Sequence, residues 1–364
     1  MNITKKNKIL IADDTVENLR LLVSIFKKNN YEILIAKNGQ EALDVAMNGN
    51  PDLILLDVNM PLKNGFEVCE ELQRTQSTKK IPIIFLTALS ETEDEEKGLN
   101  LGAVDFIRKP FSPEIVQARV KNHLELKAHR DNLEELVKIK MKEKDEVQRM
   151  TIDALAILAE YRDNETGGHI QRTKKYVKAL AEYLQNQDKF KSYLTDEIIE
   201  MLYNSAPLHD IGKVAIRDNV LLKPGKLTSD EMEEMKMHAY YGYKALEEAE
   251  SHSSCESFLT IAKELAYSHH ERYDGKGYPN GLVGEDIPLS GRLMAVADVY
   301  DALISKRVYK TPIAHSESVN IIISGKGTAF DPDVVDAFIS LQEEFRQIAL
   351  ASTDFKSEMD ALNS

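Results

Sequence analysis

Short runs of consecutive apolar residues alternate with amphipathic stretches over residues 1–122. Residues 8–12 (KILIA), 31–36, 52–57 (DLILLD), 81–87 (IPIIFLT) and 104–107 read as strands, while 18–28 and 41–47 repeat their apolar positions with helical period. Strands of this length separated by helices predict an α/β doubly wound domain with a five-stranded parallel sheet, in which function collects at the carboxyl ends of the strands. From residue 112 the chain turns helical and highly charged, and residues 123–150 predict a long linker helix. Leu126, Leu133 and Val147 share one heptad seam, Leu136 and Met150 lie near the alternate position, and Lys140 and Glu143 interrupt it. That pattern fits either a dimeric coiled coil or a solvated connecting helix. Beyond it, residues 152–161, 170–184, 197–205, 229–249, 256–268, 291–305, 316–324 and 332–348 read as helices and no clear strand pattern occurs. The expected organisation is an α/β domain over 1–122, the linker helix over 123–150 and an all-α domain over 151–364.

Composition narrows the function classes. A length of 364 residues suits two or three domains, and 43% hydrophobic residues supply sizeable cores. A formal net charge of −14 argues against tight non-specific DNA binding, which needs a basic surface. Two cysteines, Cys69 and Cys255, stand far apart in no metal-ligand spacing, which fits a reducing compartment. The opening MNITKKNKILIADD has too short an apolar run for a signal peptide. No stretch approaches the roughly 20 apolar residues of a membrane span, so a cytoplasmic location is expected.

Three carboxylates end two of the strands, Asp13 and Asp14 after the first and Asp57 after the third. If those strands are neighbours the acids converge, and clustered carboxylates need a hard cation such as Mg²⁺. Thr87 ends the fourth strand with a hydroxyl and Lys109 follows the fifth. Such a constellation suits phosphoryl transfer onto an aspartate, with the cation and Lys109 neutralising phosphoryl oxygens and Thr87 donating a hydrogen bond. With the spans IADD, LLDVNMP, FLTA and IRKP, residues 5–125 resemble the receiver domain of two-component response regulators. The resemblance implies that Asp57 is phosphorylated by a cognate sensor histidine kinase. It also implies that Asp13, Asp14 and Asp57 hold Mg²⁺ with help from the Asn59 backbone, and that Phe106 is an aromatic switch residue alongside Thr87 and Lys109.

Histidines concentrate in the second half. The pattern is ETGGH (Glu165, His169), HDIGK (His209, Asp210, Lys213), His238, HHERYDGKGYP (His269, His270) and Asp298. Five imidazoles and three carboxylates suffice for two or three ions of borderline character, such as Fe or Mn. Glu165 and His169, and likewise His209 and Lys213, are four apart and would share a helix face. The two oxygens of Asp210 could bridge metals about 3.5–4 Å apart, a spacing suited to activating water and clamping a phosphoryl group. Asp274, Gly275, Gly277 and Pro279 predict a tight turn, in which Tyr278 either stacks on a base or donates through its hydroxyl; the loop could equally be structural or recruit a partner.

These residues, with LLKPGKLT, ADVYDAL and RVYK, make residues 150–345 resemble the HD-GYP phosphodiesterases, whose substrate is cyclic di-GMP. The resemblance implies that Glu165, His169, His209, Asp210, His238, His269, His270 and Asp298 are metal ligands with Asp210 as the bridge. Lys213 would sit near the scissile phosphate, and Arg307 and Lys310 would hold the ligand's phosphates. An acid at Glu165 implies three metals rather than two. The expected product is pGpG and, after a second round, GMP. The rival readings are a regulatory module that binds cyclic di-GMP or pGpG without turnover, and an enzyme for another cyclic dinucleotide. A homodimer through the linker helix is the expected assembly, with no DNA and no membrane partner.

Overall fold

The structure is a computed structural model that describes residues 6–27, 31–88, 92–163, 168–251, 258–306, 311–352 and 356–363. The chain divides into two units, Met1–Lys142 and Glu143–Ser364. In the first, β1 (Lys8–Ala12), α1 (Val16–Phe26), β2 (Glu32–Ala36), α2 (Gly39–Gly49), β3 (Leu53–Asp57), α3 (Gly65–Arg74), β4 (Ile83–Thr87), α4 (Thr92–Asn100) and β5 (Asp105–Arg108) alternate along the chain. The strands form a parallel sheet in the order β2-β1-β3-β4-β5, as the apolar runs predict. Every residue of β3 and β4 is buried, because helices cover both faces of the sheet. Alternate residues serve opposite cores. Leu10, Ala12, Ile54 and Leu56 pack with Ala42 and Val68, whereas Ile9, Ile11, Leu53 and Leu55 pack with Leu19, Leu22, Val116 and Val120. The apolar pattern does not announce α3 or α4. A capping box, in which Asn64 and Glu67 exchange side-chain and backbone hydrogen bonds, starts α3.

The next helix, α5 (Pro113–Asp163), spans 51 residues and runs unbroken through the expected linker and the helix expected at 152–161. Its start belongs to the first unit: Val116, Val120 and Leu124 are buried there. Lys127 pairs with Asp52 at 3.3 Å, and Lys80 with Glu134 at 2.5 Å. The seam residues Leu126, Leu133, Leu136, Val147 and Met150 are exposed.

The second unit continues with α6 (Gly168–Gln185), α7 (Asp196–Ser205), α8 (Asp218–Leu221), α9 (Ser229–Ser251), α10 (Phe258–Ser268), α11 (Leu289–Ile304), α12 (His315–Ser324), α13 (Pro332–Leu350) and α14 (Lys356–Leu362). Its core gathers Tyr176, Val177 and Leu180 of α6, Leu293 and Tyr300 of α11, and Phe338 and Phe345 of α13. The stretch from α7 to α8 departs from the helical expectation. His209 and Asp210 lie between two 3-10 turns, Ala206–Leu208 and Ile211–Ala215. The tighter winding aligns residues three apart, so Lys213 meets Asp210 rather than sharing a face with His209.

Candidate metal centre and strand-edge carboxylates

The sheet order makes β1 and β3 neighbours, and the register sets Ala12 opposite Leu56, so Asp13 comes to lie beside Asp57. Asp13, Asp14 and Asp57 each offer an oxygen within 4.8 Å of the others. The Lys109 ammonium bridges them, 2.8 Å from Asp57 Oδ2 and 2.9 Å from Asp13 Oδ2. Asn18 and the Thr15 amide hold Asp13 from the start of α1. The Asn59 backbone reaches Asp57, and Thr87 is buried at the end of β4. Phe106, next in chain to the Arg119-bound Asp105, is half-buried on β5 and lies 5.9 Å from the Arg119 guanidinium. Three acids around one lysine leave excess negative charge, which fits a divalent oxygen-bound cation.

Burial, and then the Asp13 charge, push the Asp57 carboxyl above its ordinary range despite the lowering effect of Lys109. Its charged form is therefore disfavoured in the fold. The unfolded chain releases this proton first, so stability falls as pH rises from the unfolded pKa through the folded one, and the whole penalty is present above the folded pKa. Asp57→Asn is expected to raise the melting temperature of the first unit by about 2–8 °C in EDTA at pH 7, and by less with Mg²⁺ present. Calorimetry of both proteins checks this.

In the second unit, four chain segments bring imidazoles to one buried place. His169 comes from the first turn of α6, His209 from between the 3-10 turns, His238 from mid-α9, and His269 and His270 from the turn after α10. Two groups result, Asp210 with His238, His269 and His270, and His169 with His209 and Asp298, each with donor atoms within 4.8 Å of one another. Asp210 faces both. Its Oδ1 lies 3.3 Å from His238 Nε2 and 3.6 Å from His269 Nε2, and its Oδ2 lies 3.4 Å from His209 Nε2 and 2.8 Å from Lys213 Nζ. Backbone carbonyls fix three of the rings by Nδ1: Ala206 holds His209, Met235 holds His238 and Leu265 holds His269, at 2.7–2.9 Å. Each ring therefore turns Nε2 inward.

The donor set fits metal ions. Asp210 Oδ1 and His209 Nε2 are buried and make only long contacts, at 3.3–3.6 Å, with the other groups of the cluster, a costly state for polar atoms unless a cation completes it. Burial drives the His238 pKa down to about 4 and that of His270 well below the usual imidazole range, so both are neutral bases ready to ligate. Burial opposes ionisation of Asp210 too, but the charges of Lys213 and His209 outweigh it and hold the carboxylate far below its ordinary range.

Close backbone approach assembles the centre. A Cβ on Gly212 would stand 2.0 Å from the His238 carbonyl oxygen and 2.4 Å from the Gly242 nitrogen. Gly212→Ala is expected to push the 3-10 turn off α9 and lower stability by about 1–3 kcal/mol, read by urea unfolding. The GYP loop is built as tightly: a Cβ on Gly277 would meet the Arg272 nitrogen at 2.3 Å. The buried Glu271 carboxylate accepts the Asn280 and Leu282 amides at 2.7 and 3.1 Å. Tyr278 thereby lies with its ring centroid 4.7 Å from that of His270, and the Lys236 ammonium sits over the Tyr278 ring, 5.6 Å from its centroid.

Of the residues singled out by sequence, Glu165, Arg307 and Lys310 lie outside the described residues. The sequence reading passes over Glu271, Arg172 and Asp301. Their signals are positional: Glu271 follows the two histidines directly, Arg172 stands one helical turn after His169, and Asp301 one turn after Asp298.

A receiver-domain family model matches residues 9–121 and an HD-domain model matches residues 153–334. A probable cyclic di-GMP phosphodiesterase of Vibrio cholerae is 47% identical over 359 residues, covering 96% of this chain and 81% of that protein. The cyclic di-GMP phosphodiesterase response regulator RpfG of Xanthomonas campestris pv. campestris is 37% identical over 349 residues, covering 93% of this chain and 89% of the relative. A 3′3′-cGAMP-specific phosphodiesterase of Vibrio cholerae shares 39% identity over 209 residues, 57% of this chain and 38% of its own length. No helix among the described residues is long and apolar enough to cross a membrane. With both family models matched in order, and relatives aligned along nearly the whole chain, this protein belongs to the response regulators that join an N-terminal receiver domain to a C-terminal HD-GYP phosphodiesterase domain.

Proposed function

We propose that this chain hydrolyses cyclic di-GMP at a metal centre in its second unit and that phosphorylation of Asp57 controls the rate. The observation that carries the catalytic half is the placement of Asp210, with one oxygen toward each group of imidazoles. His169, His209 and Asp298 would hold one ion and His238, His269 and His270 another, with Asp210 between them. Glu165 would add a third. The donor set favours Fe or Mn. Bound ions would supply Lewis acidity toward the phosphoryl oxygens and acidify the attacking water. Lys213 would offset charge developing on the phosphoryl group, as its ammonium already lies on Asp210. Arg307 and Lys310 would hold the ligand's phosphates, and Tyr278 would border the ligand beside His270. In-line attack expels the 3′ oxygen and gives linear pGpG, which a second round could take to GMP.

In the first unit, Asp13, Asp14, Asp57 and the Asn59 backbone would hold Mg²⁺, and a sensor histidine kinase would supply the phosphoryl group. Thr87 and Phe106 would report its arrival. The exposed seam of α5 suits pairing with a second copy of the chain in the cytoplasm. The test is elemental analysis of anaerobically purified protein with product analysis on cyclic di-GMP. Bound Fe or Mn with pGpG or GMP formed supports the reading. No transition metal and no hydrolysis overturns it, and binding without product supports a regulatory module. Similarity to a 3′3′-cGAMP-specific relative favours one alternative substrate, so rates on that dinucleotide belong in the same experiment.

A further inference from the structure

Four imidazoles of the metal centre are not held alike through Nδ1. His209, His238 and His269 rest on backbone carbonyls, but His169 Nδ1 lies 2.9 Å from a carboxylate oxygen, Asp301 Oδ2. Asp301 is itself buried and gripped by a buried guanidinium. Arg172 Nε meets its Oδ1 at 2.6 Å and Arg172 Nη2 its Oδ2 at 2.8 Å. The same Nη2 donates to Ser305 Oγ at 2.8 Å, at the end of the helix that carries Asp298 and Asp301. One fork thus ties α6, whose first turn bears His169, to the last turn and C-cap of α11, just beyond Asp298. His169 Nε2 in turn faces Asp298 Oδ1 at 3.8 Å.

We infer that Asp301, locked by Arg172, is a positioning residue that fixes His169 with its proton on Nδ1 and makes the His169–His209–Asp298 position tighter than the one formed by Asp210, His238, His269 and His270. The inference rests on the metal-centre reading above. A carboxylate behind an imidazole sets which nitrogen carries the proton, orients the ring and strengthens its lone pair as a donor; losing such a partner typically costs about 10–100-fold in metal affinity. A carbonyl behind the ring also orients it but brings no full charge. In the position made by Asp210, His238, His269 and His270, the Nδ1 atoms of His238 and His269 rest on carbonyls. Removing Asp301 should therefore weaken one position and leave the other unchanged.

The test is metal stoichiometry and affinity, by elemental analysis and competitive chelator titration with Mn²⁺, on the full chain. Asp301→Asn is expected to weaken the tightest equivalent about 10–100-fold while the equivalent held by Asp210, His238, His269 and His270 keeps its affinity. His169→Ala should weaken the same equivalent. Because Asp301→Asn strands a buried guanidinium and could fail to fold, the double variant Arg172→Gln/Asp301→Asn removes both charges, with circular dichroism and thermal melting verifying the fold. The same selective loss in the folded double variant supports the inference. Wild-type affinity at both positions, or equal weakening of both, overturns it. A wild type that binds no transition metal overturns instead the proposed metal centre on which the inference rests.

Discussion

Asp210→Ala is expected to reduce hydrolysis of cyclic di-GMP by about 1,000-fold or more and to strip the second unit of its transition metal. Each oxygen of this carboxylate has a separate task. Oδ1 faces His238 and His269, and Oδ2 faces His209 and Lys213. Without it, His238 and His269 remain with their Nε2 atoms 3.4 Å apart and no anion between them. Lys213 keeps its positive charge close by but loses its ion pair to Asp210. A divalent cation at the position of His238, His269 and His270 would then meet imidazoles and an ammonium with no carboxylate among them, where Coulomb repulsion replaces attraction. Asp210→Asn should act in the same direction, since an amide retains one acceptor oxygen but turns its other end into a donor aimed at imidazole or lysine. Metal content per chain and turnover are measured together, with circular dichroism as the control for folding. Full metal content with turnover within tenfold of wild type would sink the assignment of Asp210 as the bridge.

The parallel sheet was legible because burial on both faces forces β3 and β4 into apolar runs, LILL and IIFL, each closed by one polar residue. The carboxylate edge followed from it, since acids that end neighbouring strands must meet. Helices α3 and α4 were less visible: capping between Asn64 and Glu67 sets where α3 begins, and a cap is a local signal weaker than an apolar stripe. The metal ligands were legible by residue type but not by geometry. Helical spacing predicts that His209 and Lys213 share a face, whereas 3-10 winding delivers Lys213 to Asp210. Asp301 was hidden for another reason. Its role depends on α6 and α11 packing together across 132 residues of chain, and nothing in the spacing of ADVYDAL separates the aspartate that faces the cluster from the one behind His169. Gly212 likewise looks like one glycine among many until the His238 carbonyl is found where its Cβ would be.

Treatment with a small phosphodonor such as acetyl phosphate is expected to place one phosphoryl group on the wild-type chain and none on Asp57→Ala, and to change turnover in the wild type alone. Asp57 is suited to this chemistry by its surroundings. It is buried at the end of β3, its Oδ2 is committed to Lys109, and Asp13 and Asp14 stand ready to share a cation that would screen the incoming anion. The added charge then competes for Lys109, which also holds Asp13, and alters the balance at the edge where Thr87 and the β5 strand end. β5 communicates with α5 through an ion pair between Asp105 and Arg119 and a 3.1 Å contact from Asp105 to His123, with Phe106 adjacent. α5 is continuous from Pro113 to Asp163, so a change at its first turns has a helical connection toward the catalytic unit. Couplings of this kind are typically worth about 1–3 kcal/mol, or roughly 5–150-fold in an equilibrium, so a change of at least fivefold in kcat/KM or in dimer dissociation is the expected reading. The sign of the change is an outcome of the experiment. The same response in Asp57→Ala, or no change in turnover and oligomeric state in a fully phosphorylated wild type, would rule out control through Asp57.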